Sequence, residues 1–437
     1  MWRKQYNNKL KSIEDAILSL PKRATVVVGL AATEAQGFLS NLHKYKDNFE
    51  YIKVLTCLNM KEYPFFMEKE YENKFANHSW FYAPPTRKAK SEGLCTVDYI
   101  PNNLHMAGTD KIMSEKEDDS KLVFWGTVTP MLENSGYFSL GLSNVYEMEV
   151  IENADMVVLE VNNNMPWIHG ETQVHINQAD YIVESDWEIP ALPIVEPSEL
   201  EEKIAKYIAD LVDDGSTIQI GIGGIPNAVA KLLVDKRDLG VHTEMFTESM
   251  IDLFEAGVIT NNKKNLWKGR SICTFALGSK RMYEWLNNNP GVWVMRGSYV
   301  NDPFVIAQND NMISINTAIS VDLQGQVVSE AIGTKQFSGT GGQLDTHRGA
   351  IKSKNGKGII ALRSTAKKGA ISTIVSAHPQ GSTISVPRHD VDYVVTEFGV
   401  AHLRGKSLSQ RVKALIEISH PDFREKLLTE AKELGYI

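Results

Sequence analysis

The sequence has few cysteines, no excess of positive charge and no long apolar run. Cys57, Cys95 and Cys273 are isolated, with no CxxC pair or histidine cluster beside them. This pattern argues against a disulfide framework and a structural zinc site, and it favours a reducing compartment. No stretch of 18 apolar residues occurs, and the first residues (MWRKQYNNKL) are not typical of a secretory signal. We therefore expect a cytoplasmic protein with no membrane segment.

The balance of charge bears on possible partners. The 437 residues contain 46 Lys and Arg against 54 Asp and Glu, a net charge of −8 at pH 7, spread along the chain. Nucleic acid is therefore not expected as a main partner. An anionic ligand would have to be bound by a local group of cations or by backbone N–H groups.

Short apolar runs alternate with segments of helical periodicity, which predicts an α/β fold with open sheets. Three prolines in residues 189–197 (IPALPIVEP) predict a domain boundary, giving an N-terminal lobe of residues 1–195 and a C-terminal lobe of 196–437. Residues 26–42 and 218–233 both predict a strand, a turn of small residues and a helix, so we expect two related lobes. The predicted strands cover residues 25–30, 51–58, 122–128, 156–161, 217–222, 272–276, 292–295, 359–362 and 391–396.

A glycine-rich turn, GIGGIPNA, begins at Gly221 and joins a predicted strand to a predicted helix. Such turns let backbone approach a ligand and direct helix N-terminal N–H groups at its oxygen atoms. The turn is not a dinucleotide fingerprint, because the third glycine of GxGxxG is absent. From these residues alone, a tight turn without a ligand is an equally good interpretation.

Glu244 lies in VHTEMFTES, where a predicted strand runs into a predicted helix. Ligands of open α/β sheets bind at such strand ends. The carboxylate could bind a ribose, act as a general base, ligate a metal or serve as a nucleophile. It could equally be a structural glutamate that pairs with a basic neighbour.

A second glycine-rich segment, residues 337–358, joins close glycines to a series of cations. Its glycines include Gly339, Gly341 and Gly342, and the cations are Arg348, Lys352, Lys354, Lys357 and, just beyond, Arg363. Close backbone approach beside cations suits a phosphate-bearing ligand. A flexible surface loop would have the same composition.

Several long strings in order along the chain resemble the acetyl-CoA hydrolase/transferase family, in particular its 4-hydroxybutyrate and butyryl-CoA:acetate CoA-transferase branch. They are EVNNNMPWIHGETQVHINQADYIVE, GIGGIPNAVAKLL, GVHTEMFTES, NDPFVIAQNDNMISINTAISVDLQGQV, FSGTGGQLDTHRGAIKSKNGK and VPRHDVDYVVTEFGVAHLRGKSLSQRVKALIEISHPDFRE. The resemblance implies a CoA-transferase fold of two α/β lobes. It implies that the first lobe forms the acyl and acid side of the cleft and the second binds CoA.

The resemblance also implies roles for particular residues. Glu244 would be the nucleophile, forming an acyl anhydride and then a glutamyl-CoA thioester. Coenzyme A would be a substrate rather than a bound cofactor, no metal would be needed, and the chain would form a dimer or tetramer. The residues implied in contacts with CoA are Gly221, Ile222, Gly223, Gly224, Ile225, Asn301, Gly341, Gly342 and Lys357.

The first lobe departs from the pattern of the family. Many members carry Gly-Glu-Pro in the first glycine turn and arginine after Met-Pro, whereas this chain has Ala-Thr-Glu-Ala-Gln from Ala32 and then Trp167. These departures leave the acyl and acid specificity open. Glu397 is a candidate for the acid pocket or a partner of Arg404, and His169 and His175 are expected to be structural.

The predicted function is transfer of CoA between a short-chain acyl-CoA and a small carboxylic acid. A hydrolase that uses the same glutamate is the main alternative. A non-catalytic CoA-binding or nucleotide-binding module would have no use for Glu244, and an oxidoreductase would have to bind a nicotinamide.

Overall fold

The computed structural model describes residues 1–94, 96–116 and 119–437, so Cys95 lies outside the described residues. The chain forms two compact units. The first contains Met1–Leu192, Cys273–Tyr299 and Phe337–Gly339; the second contains Pro193–Ile272, Val300–Gln336 and Thr340–Ile437. The predicted division of function between residues 1–195 and 196–437 stays a prediction. None of the described helices is long and apolar enough to cross a membrane.

The α-helices of the described residues are mostly short. In chain order they are α1 Trp2–Lys9, α2 Ile13–Leu18, α3 Gln36–Asn41, α4 Pro64–Met67, α5 Pro84–Ser91, α6 Ile112–Glu115, α7 Glu147–Asn153, α8 Glu199–Ala209, α9 Gly224–Leu232, α10 Glu248–Glu255, α11 Lys280–Leu286, α12 Gly297–Val300, α13 Pro303–Ile306, α14 Gln343–Lys352, α15 Leu408–Glu417 and α16 Pro421–Glu433.

Some strands alternate with these helices, and others follow one another without a helix between them. They are β1 Arg23–Val28, β2 Tyr51–Thr56, β3 Phe75–Ser79, β4 Val97–Tyr99, β5 Lys121–Val128, β6 Tyr137–Ser139, β7 Met156–Val161, β8 His169–Gly170, β9 Gln173–His175, β10 Tyr181–Glu184, β11 Thr217–Ile220, β12 Gly240–Val241, β13 Met245–Phe246, β14 Ser271–Cys273, β15 Phe275–Ala276, β16 Val292–Val294, β17 Met312–Thr317, β18 Ser320–Asp322, β19 Val327–Val328, β20 Ala331–Ile332, β21 Lys335–Gln336, β22 Lys357–Ala361, β23 Thr365–Ala366, β24 Ile371–Ser372, β25 Ile374–Val375, β26 Tyr393–Thr396 and β27 Gly399–His402.

The first unit is built on a parallel sheet with the strand order β10-β7-β5-β1-β2-β3-β4. The central strands β1, β2, β5 and β7 are rich in apolar and β-branched residues and buried along nearly their whole length, as expected when both faces of a parallel sheet are covered. Aromatic side chains fill the core, including Phe38 and Trp125, whose rings stack 4.5 Å apart. The predicted strands of this unit are all present.

The second unit has a sheet with the order β12-β11-β17-β22-β26-β27, parallel except for the antiparallel edge strand β27. A core that includes Ile360, Val394 and Leu415 packs against it. The prediction of an α/β fold is therefore confirmed, with one parallel sheet in each unit.

A buried carboxylate fixes a helix of the first unit to its sheet. Glu160 in β7 accepts hydrogen bonds from the backbone N–H groups of Gly37 (2.7 Å) and Phe38 (3.1 Å), at the start of α3. The indole N–H groups of Trp125 (3.1 Å) and Trp187 (3.0 Å) donate to the same carboxylate. Four donors thus converge on one side chain that has no exposed surface.

We expect Glu160→Gln to lower the stability of the protein by about 2 kcal/mol or more, because an amide offers only one acceptor oxygen and leaves buried donors unsatisfied. The measurement is the thermal midpoint and the urea midpoint at pH 7. Glu133→Gln is the matched control, since the side chain of Glu133 is 74% exposed. Equal midpoints for the two variants would contradict this account.

Candidate active site

The segments that follow the parallel strands of the second sheet meet at one edge. Since carboxyl ends of parallel strands lie together, this edge collects the turn after β11, the loop after β12 and the residues after β22. Glu244 lies three residues beyond β12, Gly221 directly follows β11, and Arg363 lies two residues beyond β22.

Glu244 lies in a bend between β12 and β13, held on both sides by hydrogen bonds. The N–H of Thr243 donates to the carbonyl of Ile272 (2.9 Å), and the Thr243 hydroxyl donates to the carbonyl of Met245 (3.1 Å). The helix that follows, α10, begins after its N-cap residue Thr247, which makes no side-chain cap bond. The bend therefore presents Glu244 at the edge of the sheet, where the residue is partly buried.

Asn301 supplies a donor to this carboxylate. Its Nδ2 lies 3.0 Å from Oε2 of Glu244, and the residue has no exposed surface. The next residues fix its position, because Asp302 accepts a hydrogen bond from the N–H of Phe304 (2.8 Å) and Pro303 starts α13. The Asn-Asp-Pro sequence thus forms a capped helix start that leaves the asparagine facing Glu244.

Gly342 is the third member of the group and lies at the N-cap of α14. A Cβ atom added to it would collide with Nδ2 of Asn301 and Oε2 of Glu244. Its φ of −99° is open to any residue, so space rather than backbone conformation requires glycine here. Gly341 before it has φ +57°, a conformation that favours glycine.

The environment raises the pKa of Glu244 from 4.5 to about 7. Burial is the main cause, because loss of solvent disfavours the charged carboxylate. The negative charge of Asp345 raises the pKa further, while the Asn301 amide and the Gly342 N–H donate hydrogen bonds that oppose the rise. Glu244 is therefore a desolvated carboxylate that can ionise near neutral pH.

The turn from Gly221 to Ile225 has the features of an anion-binding helix start. Gly223 is the N-cap of α9 with φ +123°, and no side chain caps the helix. Gly224 starts the helix, with no room for a Cβ because the Glu201 carboxylate lies against it. Ile222 is half exposed. This predicted turn shares its sheet edge with Glu244.

Lys357 lies away from this edge. It begins β22, opposite Ile313 near the start of β17, whereas Gly221 follows the end of β11. Its Nζ donates to the carbonyl of Leu211 (2.7 Å) and pairs with Asp213 (3.0 Å). The structure thus brings Glu244, Asn301, Gly341 and Gly342 together but does not bring Lys357 to them.

Arg363, at the opposite end of β22, lies on the side of the glycine turn. Its guanidinium donates to Oε1 of Glu201 (2.6 Å), the carboxylate that lies against Gly224, and its side chain is 51% exposed. The sequence pattern did not separate this cation from the other four of its segment. Arg363 follows the carboxyl end of β22, whereas Lys357 begins the strand. This difference in position along β22 is the signal that distinguishes the two cations.

The remaining predicted residues have ordinary partners. Glu397 accepts hydrogen bonds from the backbone and hydroxyl of Ser364. His169 lies 3.0 Å from Oδ1 of Asn288, and His175 accepts from the N–H of Asn177. Among the described residues, no group of three or more His, Cys, Asp and Glu side chains is arranged to hold a metal ion.

Trp167 is partly buried in the first unit. Its N–H donates to Oδ1 of Asn287 (2.8 Å), and its carbonyl accepts from the N–H of Asn288 (2.7 Å). The backbone at this departure from the family pattern is therefore firmly held.

Two family models match separate segments of this chain, and known proteins are similar to it over most of its length. Residues 1–196 match the N-terminal domain of the acetyl-CoA hydrolase/transferase family, and residues 278–431 match its C-terminal domain. The 4-hydroxybutyrate coenzyme A transferase of Clostridium kluyveri is 40% identical over 99% of both chains. An acetyl-CoA hydrolase of Yarrowia lipolytica is less similar, at 26% identity over 84% of this chain and 78% of its own.

Two solved structures match the fold over nearly the whole chain. RipA from Yersinia pestis has a TM-score of 0.93 and 37% identity, covering 100% of both chains. The 4-hydroxybutyrate CoA-transferase from Porphyromonas gingivalis has a TM-score of 0.80 and 35% identity, covering 99% of this chain and 100% of its own. The expected CoA-transferase fold is thereby confirmed.

The raised pKa of Glu244 predicts a pH-dependent cost to stability. Because the folded-state pKa lies above the unfolded value, ionisation of Glu244 destabilises the fold as the pH rises from about 4.5 to about 7. Glu244→Gln removes this ionisation, so its stability relative to the parent protein should increase over that window by up to about 3 kcal/mol. Thermal midpoints measured from pH 4 to 9 test this, and a difference independent of pH would contradict it.

Proposed function

The chain belongs to the acetyl-CoA hydrolase/transferase family, and we propose that it acts as a CoA-transferase through a covalent intermediate on Glu244. It would move CoA between a short-chain acyl-CoA, such as 4-hydroxybutyryl-CoA, butyryl-CoA or acetyl-CoA, and a carboxylate such as acetate. The observation that carries the proposal is the partly buried Glu244 carboxylate, which meets the Asn301 amide and the close-fitting Gly342 at the edge of the sheet.

The proposed reaction has two halves. The Glu244 carboxylate attacks the thioester carbonyl of the acyl-CoA, releasing CoA thiolate and forming a mixed anhydride. The thiolate then attacks the glutamyl carbonyl of the anhydride, giving a glutamyl-CoA thioester and the first free acid. In the second half, the acceptor carboxylate attacks that thioester and forms a second anhydride. The released thiolate attacks the acceptor's carbonyl, producing the new acyl-CoA and restoring Glu244.

The surroundings of Glu244 suit both halves of this reaction. A desolvated carboxylate is a stronger nucleophile than a hydrated one, and its pKa near 7 leaves a large ionised fraction at neutral pH. The Gly342 N–H and the Asn301 amide are donors that could stabilise the oxyanion formed when the glutamyl carbonyl is attacked. Oδ1 of Asn301 is buried with no partner among the described residues, so a donor from a bound substrate would complete its hydrogen bonding.

Transfer is favoured over hydrolysis because the transferase relative is more similar than the hydrolase relative. The two activities would differ only in whether a carboxylate or water attacks the thioester. We also propose that CoA is a substrate rather than a resident cofactor, that the protein works in the cytoplasm, and that it forms a homodimer or homotetramer.

Incubation with butyryl-CoA in the absence of an acceptor should leave CoA on Glu244 as a thioester. Borohydride reduction followed by peptide mass analysis locates it, and adding acetate should discharge it as acetyl-CoA rather than as free CoA. Glu244→Ala should form no adduct and retain its fold. Glu244→Asp should lose at least about 100-fold in rate, because shortening by one methylene withdraws the carboxylate from a carbonyl that it must approach closely. An adduct on another carboxylate would overturn the mechanism, and free CoA as the product would favour hydrolysis.

Arg363 and Lys357 provide a paired test of phosphate binding, since they lie at opposite ends of β22. We propose Arg363 as the cation for a CoA phosphate, because it lies beside the start of α9. Arg363→Gln should raise the KM for acyl-CoA about 10-fold, the size expected for one charge-assisted hydrogen bond, and should weaken its salt dependence. Lys357→Gln should leave KM unchanged. The reverse result would support Lys357, the cation predicted from the sequence, as the phosphate ligand.

A further inference from the structure

His242 lies two residues before Glu244 and is 1% exposed. Its backbone N–H donates to the carbonyl of Ile218 in β11 (3.2 Å), which fixes the residue against the sheet. The backbone from which the imidazole extends is therefore fixed. Both ring nitrogens contact residues that are distant from His242 in the sequence.

The contacts of the ring define its tautomer. Nε2 lies 2.8 Å from the carbonyl oxygen of Val300, which can only accept a hydrogen bond, so Nε2 carries the proton. Nδ1 lies 3.4 Å from Nδ2 of Asn309, which can only donate, so Nδ1 is unprotonated. Both contacts are satisfied by one neutral imidazole. Burial and the positive charge of Lys264 lower the pKa of His242 to about 3, which keeps the ring neutral.

The carbonyl that His242 binds belongs to the residue directly before Asn301. One side chain thus joins the segment that carries Glu244 to the segment that carries its amide donor. The other fixed point of the second segment is the capped start of α13, after Asp302. Asn301 is held between these two points, and its Nδ2 meets Oε2 of Glu244 at 3.0 Å.

We propose that His242 is a positioning residue for the reaction of Glu244: its Nε2–H holds the Val300 carbonyl so that the Asn301 amide stays aligned with the Glu244 carboxylate. The inference rests on the proposed function, since it assigns His242 a role in forming the Glu244 thioester. His242 does not touch the substrate in this role and transfers no proton.

Two conservative substitutions of His242 distinguish the roles of its two ring nitrogens. The amide nitrogen of glutamine occupies the place of Nε2, so His242→Gln can still donate to Val300. Asparagine ends at the place of Nδ1, so His242→Asn keeps a polar group towards Asn309 but cannot reach Val300. His347→Asn is the control for burial, because His347 lies in the same unit with no exposed surface and is packed against Gly358.

The measurement is the single-turnover rate of thioester formation on Glu244 from butyryl-CoA, together with KM and the thermal midpoint of each variant. His242→Gln should keep the rate within about fivefold of the parent. His242→Asn should lower it roughly 100-fold, the loss expected when a reacting group is misplaced by about 1 Å, with KM nearly unchanged. His347→Asn should lower the thermal midpoint yet keep the rate within about fivefold.

Each outcome is decisive. Equal rates for His242→Asn and the parent, equal losses in His242→Asn and His347→Asn, or an effect on KM alone would overturn the positioning role. If His242→Asn fails to fold, the tautomer of His242 in the parent protein is the test instead. It is read from ¹⁵N spectra of histidine-labelled protein, in which the His242 resonance is the one lost in His242→Gln. We expect these spectra to show Nε2–H at pH 7. An Nδ1–H tautomer would overturn the proposal. A thioester on a residue other than Glu244 in the parent would overturn the proposed function itself, and the role of His242 with it.

Discussion

The contact between the Glu244 carboxylate and the Asn301 amide is the interaction on which the candidate site depends. It requires three separate segments to meet: the bend after β12, the capped start of α13 and the start of α14 at Gly342. Each segment is fixed by local hydrogen bonds or a helix start of its own. The sheet edge brings the segments together, and the missing Cβ of Gly342 lets them touch.

A carboxylate placed in this way works against the stability of the protein. Burial and the neighbouring Asp345 disfavour its ionised form, and two hydrogen-bond donors recover only part of that cost. Glu160 in the first unit is a second carboxylate of this kind: four donors surround it, yet burial still raises its pKa. For Glu244, the Asn301 amide and the Gly342 N–H donate hydrogen bonds, and the proposed mechanism uses this desolvated carboxylate as its nucleophile.

The sequence predicted part of each large sheet and part of the site. Runs such as TVVV in β1 are β-branched and buried, so their strands could be located from pattern alone, whereas β3 (FANHS) was missed because polar residues interrupt its apolar character. The residues alone left Glu244 open between several roles, and the resemblance to a family selected one. The ring contacts of His242 could not be predicted, since residues 242 and 300 are far apart in the sequence.

Each of the two units is assembled from separate segments of the sequence, and this has a consequence for biosynthesis. The first unit takes in Cys273–Tyr299 and Phe337–Gly339, and its strand β8 pairs with β16 from the later segment through His169 and Trp293. During translation, β8 therefore lacks its neighbour β16 until Cys273–Tyr299 has also left the ribosome. A fragment ending at residue 195 would keep an unpaired strand edge permanently, which is a template for aggregation. Either unit could therefore be produced alone only as a chain in which distant segments are joined.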